Sequence, residues 1–271
     1  MRKKISIIGA GNVGMSAALG CLNRRLGDIV LIDINENIIK GKAMDVAQSF
    51  ALEGHGLNIF ASSDYADTAG SYLIIITAGI ARKHGMSRDD LLKTNADIVF
   101  QAVKKSAALS PGAIFIITSN PVDILCMVAL RAGDIPAHRI VGLSGVLDTA
   151  RMRAELGALA HVSPEIVQGL VIGEHGNTMV PLTRLATIGG VPASSLLSKE
   201  ELALAREHTI NGGAKIVELM GFSAFYAPGT CLAIMADAFS RDVQTIMPCS
   251  TYLDGQYGAK KLYIGAPVRI S

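Results

Sequence analysis

The sequence has no tryptophan among its 271 residues, only 5% aromatic residues in all, and no excess of charge of either sign. Lys and Arg number 25 against 23 Asp and Glu, a formal net charge of +2, so there is no electrostatic footprint for a nucleic-acid partner. Long apolar runs are missing too: the longest unbroken one, Ile124–Leu130, has seven residues, far short of the roughly 18 that suggest a membrane-spanning helix. Four cysteines, Cys21, Cys126, Cys231 and Cys249, form no C-x-x-C pair and have no histidine at ligand spacing. They read as buried free thiols in a reducing compartment, and no metal site is expected. No P-loop, H-E-x-x-H or nucleophile-elbow motif occurs. Met1-Arg2-Lys3-Lys4 imitates the start of a secretion signal, but glycines break the apolar part at once and no small-residue cleavage site follows. A cytoplasmic protein is expected, with neither membrane nor nucleic acid as partner.

What is present is half hydrophobic and rich in glycine, with 28 of them. That composition excludes disorder, and the length suits one large or two modest domains. Short β-branched runs at Ile5–Ile8, Ile29–Ile32, Leu57–Ala61, Tyr72–Thr77, Ala113–Thr118 and Ile140–Leu143 alternate with helical patterns, including Ile38–Phe50 and Arg88–Leu109. Runs such as Leu73–Ile76 are apolar on both faces, as a strand covered by helices on each side must be. The expectation is an α/β fold: a doubly wound parallel domain over residues 1–143, then an α+β domain over 144–271. In the second, Leu147–Leu159 reads as a helix and Ile166–Ile172 as short strands. Ser198 and Glu201 form a capping box opening a long helix to about Met220, despite Gly212 and Gly213 inside it. A further helix is expected from Pro228 to Phe239, with strands at Ile246–Leu253 and Lys261–Ala266.

Gly9-Ala10-Gly11-Asn12-Val13-Gly14 spells G-x-G-x-x-G between a strand and an amphipathic helix, and a second strand then ends at Asp33. In that context the motif is a dinucleotide fingerprint. Gly9 permits the tight turn, Gly11 lets backbone approach a diphosphate, and Gly14 lets helix and strand pack. The diphosphate would sit at the helix N-terminus. Asp33 would accept hydrogen bonds from the adenosine ribose and repel a 2′-phosphate, which favours NAD over NADP.

Three further segments stand out. Asp148 and Arg151 share a helix face at i and i+3, His175 lies between glycines just after a strand, and Arg82 to Arg88 form a basic, glycine-containing loop after the strand ending at Thr77. These residue types suit hydride transfer coupled to proton loss from a hydroxyl. Histidine takes and returns the proton, an Asp orients it, one Arg clamps a carboxylate, and a second polarises a carbonyl. The residues alone leave plainer readings open: a surface ion pair, a satisfied turn histidine and a solvated loop.

Taken together, Gly9–Gly14, Asp33, Thr77-Ala78-Gly79, Ser119-Asn120-Pro121-Val122, Leu147–Arg151 and Ile172–Gly176 resemble the lactate/malate dehydrogenase family over nearly the whole chain, Lys4 to about Val268. The resemblance implies that His175 accepts the proton with Asp148 as its partner, that Arg151 binds the carboxylate beside the reacting carbon, and that Arg88 polarises the carbonyl. It implies that Asn120 meets substrate and cofactor, that the Asn120–Pro121 bond is cis, and that Gly9 to Gly14, Asp33, Thr77, Ala78, Gly79 and Asn95 line an NAD site. Arg82 stands where the malate-using members carry Arg and the lactate-using members Gln, which implies malate and oxaloacetate as substrates; Ala224 fits the same choice. Two positions depart from the common pattern, His84 for Pro and Asn177 for Asp. Relatives also continue beyond the segment matching Gly265–Val268 with a strand and a long helix, so the implied substrate domain lacks those two elements. Members assemble as dimers or tetramers, and the apolar helix Ile38–Leu52 offers a face for a partner copy. Two rival readings stay open: another 2-hydroxyacid dehydrogenase, and a catalytically impaired NAD-binding subunit.

Overall fold

A computed structural model describes residues 2–53, 56–80 and 87–270, with Glu53 and Arg88 described in backbone only. Chain order gives β1 (Lys4–Ile8), α1 (Asn12–Asn23), β2 (Asp28–Ile32), α2 (Glu36–Glu53), β3 (Ile59–Ser62), β4 (Leu73–Ile76), α3 (Arg88–Leu109), β5 (Ile114–Ile117), α4 (Val122–Ala132) and β6 (Ile140–Gly142). There follow α5 (Gly145–Leu159), β7 (Val167–Gln168), β8 (Val171–Ile172), β9 (Val180–Pro181), β10 (Thr187–Ile188), β11 (Val191–Pro192), α6 (Lys199–Met220), α7 (Tyr226–Arg241), β12 (Thr245–Asp254) and β13 (Lys260–Ile270).

Strands β1 to β6 are parallel in the order β3-β2-β1-β4-β5-β6, a doubly wound sheet. Alternation sorts its side chains onto two faces. Ile5, Ile7, Ile29, Leu31, Leu73 and Ile75 pack under α1 and α7, whereas Ile32, Ile74, Ile76 and Phe115 pack under α3 and α4. Both faces are therefore buried, which is why these strands read as continuous apolar runs rather than alternating ones.

Two expectations need correction. Residues 122–132, which entered the sequence reading only as an apolar run, form α4; its N-terminus follows the cis Asn120–Pro121 bond. The hairpin β12–β13 does not sit with the α+β layer but extends the main sheet, β12 running antiparallel to β6 through Ser250 and Gly142. Helix α7 likewise joins the first core: Gly229 faces Ser16 and Gly20 faces Ala233, so α1 and α7 cross closely. Pro228 occupies the third position of α7, which begins at Tyr226. The remaining small strands and α5–α6 enclose a separate core of Met152, Leu156, Val167, Val171, Ile188 and Ala205. The Ser198–Glu201 capping box forms as expected. No helix among the described residues is long and apolar enough to cross a membrane.

Candidate active site

At the carboxyl end of β1 the chain turns at Gly9 with φ +98°, a left-handed conformation that favours glycine. The turn is pinned to the end of β4, where Thr77 Oγ1 donates to Gly9 O at 2.5 Å and the Ala78 amide to Ile8 O at 2.8 Å. A Cβ on Gly14 would lie 2.0 Å from Gly9 O, so α1 can approach the turn only without one. Gly11 differs. Its φ is an ordinary −67°, and among the described residues beyond its chain neighbours no atom lies within 4 Å of where its Cβ would be. The protein itself gives no reason for glycine there, but a diphosphate lying against bare backbone does. Helix α1 starts at the next residue, with no side-chain cap and with Asn12 and Val13 in its first turn, which fits an anion at its N-terminus.

Asp33 ends β2 beside this turn. Its carboxylate accepts from the amides of Ala10 (2.7 Å) and Asn35 (3.2 Å), and Lys42 Nζ donates to Ala10 O at 2.8 Å. An ionised carboxylate has about four acceptor positions, so Asp33 keeps capacity for ribose hydroxyls. Gly11 and Asp33 line a cleft of about 330 Å³ with Ala78 and Ile80. That cleft shares Thr77, Gly79 and Ile80 with a second hollow walled by Asn95 and Asn120. The second in turn shares Asn120 and Ser223 with a pocket of about 320 Å³ lined by Arg151, His175 and Ala224. One trench thus runs from Asp33 to His175. Asn95 is buried in its wall with both side-chain ends engaged: the amide of Ile80 donates to its Oδ1 at 2.8 Å, and its Nδ2 donates to Asn120 O at 3.0 Å.

The far end holds the charged side chains. Asp148, in the first turn of α5, is 1% exposed. One carboxylate oxygen meets His175 Nδ1 at 2.7 Å and the other accepts from Arg151 Nη1 at 2.9 Å. Burying a carboxylate without partners is prohibitively costly, and here both oxygens are matched. The Asp148–Arg151 pair is therefore not a solvated surface ion pair. With an acceptor-only carboxylate on Nδ1, the imidazole proton resides there and Nε2 is left to accept another. Expected loop residues fall differently: Arg82 and His84 lie outside the described residues, as does the side chain of Arg88. The backbone at Arg88 does open α3, behind a Ser87–Asp90 capping box.

Sequence reasoning missed Asp123, in the first turn of α4. Its Oδ2 accepts from the His175 amide at 3.1 Å and its Oδ1 from Ser250 Oγ at 2.5 Å, tying the histidine loop to β12. Burial raises the pKa of this carboxyl above its ordinary value, partly offset by those two hydrogen bonds. The same loop is held from the other side by β13, through paired bonds between Gly173 and Gly265 of 2.9 and 3.1 Å. The only local signal for Asp123 was an acidic residue opening an otherwise apolar helix. All four cysteines are free and buried, and burial pushes the thiols of Cys21, Cys231 and Cys249 up to about 12, so they are chemically idle at neutral pH.

A doubly wound sheet carrying a glycine turn, an acidic residue at the end of β2 and a trench leading to a His–Asp–Arg cluster defines a dinucleotide-dependent dehydrogenase. Residues 3–142 match the lactate/malate dehydrogenase NAD binding domain and residues 145–271 the alpha/beta C-terminal domain of the same family. The chain belongs to the lactate/malate dehydrogenase family. It is 46% identical over 270 residues to a malate dehydrogenase of Thermomicrobium roseum, covering 100% of this chain and 87% of the relative. The crystal structure of Cryptosporidium parvum malate dehydrogenase superposes with a TM-score of 0.96 at 40% identity, covering 100% of this chain and 88% of that one. The lactate dehydrogenase of Eimeria maxima, solved with NADH and oxamate, superposes with a TM-score of 0.95 at 37% identity, over 100% and 84% of the two chains. The backbone is thus common to malate and lactate enzymes, and the choice between substrates rests on side chains.

Proposed function

We propose that the chain is an NAD-dependent malate dehydrogenase, interconverting malate and oxaloacetate. The observation that carries this is the continuous trench joining the Gly11–Asp33 cleft to the buried Asp148 that holds both His175 and Arg151. NAD held along Gly9–Gly14 and Asp33 would supply the two-electron, hydride chemistry that interconverts malate and oxaloacetate. His175 Nε2 accepts the hydroxyl proton, and Asp148 steadies the imidazolium that forms. Arg151 offers its remaining N–H groups to the carboxylate next to that carbon. Gly9 to Gly14 and Asp33 hold diphosphate and ribose, Thr77 to Gly79 and Asn95 form the trench wall, and Asn120 stands at the junction where cofactor and substrate meet.

Arg88 polarises the carbonyl and Arg82 neutralises the second carboxylate of the four-carbon acid. With pyruvate, Arg82 would be desolvated and unpaired, at a cost of roughly 3–5 kcal/mol, or about two to four decades in rate. Ala224, small and on the pocket wall, leaves room for the larger acid. Residues 1–143 act as the cofactor domain and 144–271 as the substrate domain. The idle buried thiols favour a cytoplasmic setting, and exposed Ile38, Met44 and Leu52 on α2 favour a homodimer or homotetramer.

The test is NADH oxidation followed spectrophotometrically with oxaloacetate and pyruvate in parallel, repeated with NADPH. Oxaloacetate with NADH is the expected pair. Preference for pyruvate would overturn Arg82 as selector and leave His175 standing, and preference for NADPH would overturn the role of Asp33.

A further inference from the structure

Gly212 and Gly213 stand side by side in the interior of α6, where glycine is the least favourable residue short of proline. Neither adopts a left-handed φ, so the backbone does not require them. Elsewhere in this chain a glycine that admits close packing faces backbone or several elements, as Gly145 faces Val171 O and Pro248. Here the three nearest atoms to each missing Cβ, among the described residues outside the helix backbone, all belong to one side chain, Arg151. At Gly213 a Cβ would lie 3.2 Å from Arg151 Nη2 and 3.6 Å from both Cζ and Nη1. Both terminal nitrogens and Cζ thus lie within 3.6 Å of the position, so a methyl group there would meet the guanidinium head itself. At Gly212 the neighbours are the stem atoms Cδ, Nε and Cγ at 3.4 to 3.9 Å, which is ordinary contact.

We infer that Gly213 is a positioning residue: its bare backbone seats the guanidinium head of Arg151 and sets the tilt at which that group meets the substrate carboxylate. This rests on the reading of Arg151 as the carboxylate clamp. The other edge of the guanidinium is already fixed, since Nη1 donates to the buried Asp148. A methyl group at 213 therefore cannot push the side chain away as a whole. It rotates the fork about its bond to Asp148, so that one of the two N–H groups aimed at a carboxylate loses its alignment. Gly213 also lines the substrate pocket, whereas Gly212 does not.

The sign of the effect makes the inference testable. By helix propensity alone both Gly213→Ala and Gly212→Ala raise thermal stability. For Gly213→Ala we expect a melting temperature no lower than the parent's, together with an oxaloacetate KM raised roughly ten- to hundredfold, the loss of one charge-assisted hydrogen bond. Its KM for NADH stays within about twofold, and Gly212→Ala leaves both constants near the parent's. In an Arg151→Lys background, which has no guanidinium fork to tilt, the further penalty of Gly213→Ala disappears. Calorimetric binding of oxalate to the NADH-loaded protein gives the same comparison without turnover. An unchanged oxaloacetate KM and oxalate affinity in Gly213→Ala overturns the inference. So does a full, additive penalty in the Lys background. If the parent prefers pyruvate, the substrate reading fails separately, and the comparison is read on pyruvate, whose single carboxylate meets the same clamp.

Discussion

The two ends of the trench are built by opposite means. At the cofactor end the chain leaves atoms out: Gly9, Gly11 and Gly14 shape a turn whose recognition surface is bare backbone, contributed by one run of six residues. At the substrate end it places charges: Asp148, Arg151 and His175 come from α5 and from the β8–β9 connection, with Asp123 of α4 behind them. The first surface tolerates no addition, and the second tolerates no deletion. Gly213 crosses the division, since it is an omission that serves the charged end.

The largest effect should come from deletion at the charged end. Asp148→Asn keeps the volume but can no longer hold both partners as an acceptor, so kcat should fall on the order of 10²- to 10⁴-fold, with the oxaloacetate KM also rising because Arg151 loses its ion pair. Steady-state kinetics check both, and a loss confined to KM would separate Asp148 from the proton transfer. Addition at the cofactor end comes next. Gly11→Ala has free space and an ordinary φ, so it should cost the fold no more than about 1 kcal/mol, the range of an N-cap change. Yet the Kd for NADH should rise about tenfold or more, as one methyl intrudes on the ligand. Gly14→Ala, whose Cβ would press on Gly9 O, should instead destabilise the fold itself. Thermal unfolding with and without NADH separates the two cases, and equal losses of stability would erase the distinction.

The smallest effect concerns Asp123. Its folded pKa is raised, so the stability it contributes is fully present below the unfolded value of about 3.9 and is lost as pH rises through the folded one. Asn at 123 has no such titration, can still accept from the His175 amide and can donate to Ser250 Oγ. The melting temperature of Asp123→Asn relative to the parent should therefore be more favourable at pH 7 than at pH 4. A difference that shrinks or reverses with rising pH would show that the charge itself is required.

The same division decides what could be read from the sequence. The cofactor end is a local motif, and the turn at Gly9 and the close packing at Gly14 were legible because both lie within one run of six residues, beside Asp33; only its outer partners, Lys42, Thr77 and Ala78, come from farther along the chain. Helix α3 was also legible, its expected span Arg88–Leu109 matching the observed one, although the Ser87–Asp90 capping box that opens it went unread. At the substrate end, Asp148 and Arg151 were visible as a helical pair, but the pairing of Asp148 with His175 was supplied by family resemblance. Asp123 escaped notice because its partners are 52 and 127 residues away. Helix α4 was missed for a related reason. Its short, strongly apolar run is buried by neighbours on one side while Ile124 stays exposed, and hydrophobicity alone does not signal which side. Alternation in β12 and β13 announced strands, but period two says nothing about which sheet a strand will join.

That late hairpin has a consequence for the order in which the molecule can be made. Ser250 pairs with Gly142 across 108 positions of sequence, and Gly265 tethers the histidine loop at Gly173. On a ribosome adding roughly 5–20 residues per second, the six parallel strands and the glycine turn are all available on the order of ten seconds before β13 emerges. A nascent chain can therefore assemble the glycine turn while the loop that carries His175 still lacks its tether to β13. The strand that tethers the histidine loop is thus made well after the strands that carry the glycine turn, so the two ends of the trench are completed at different times.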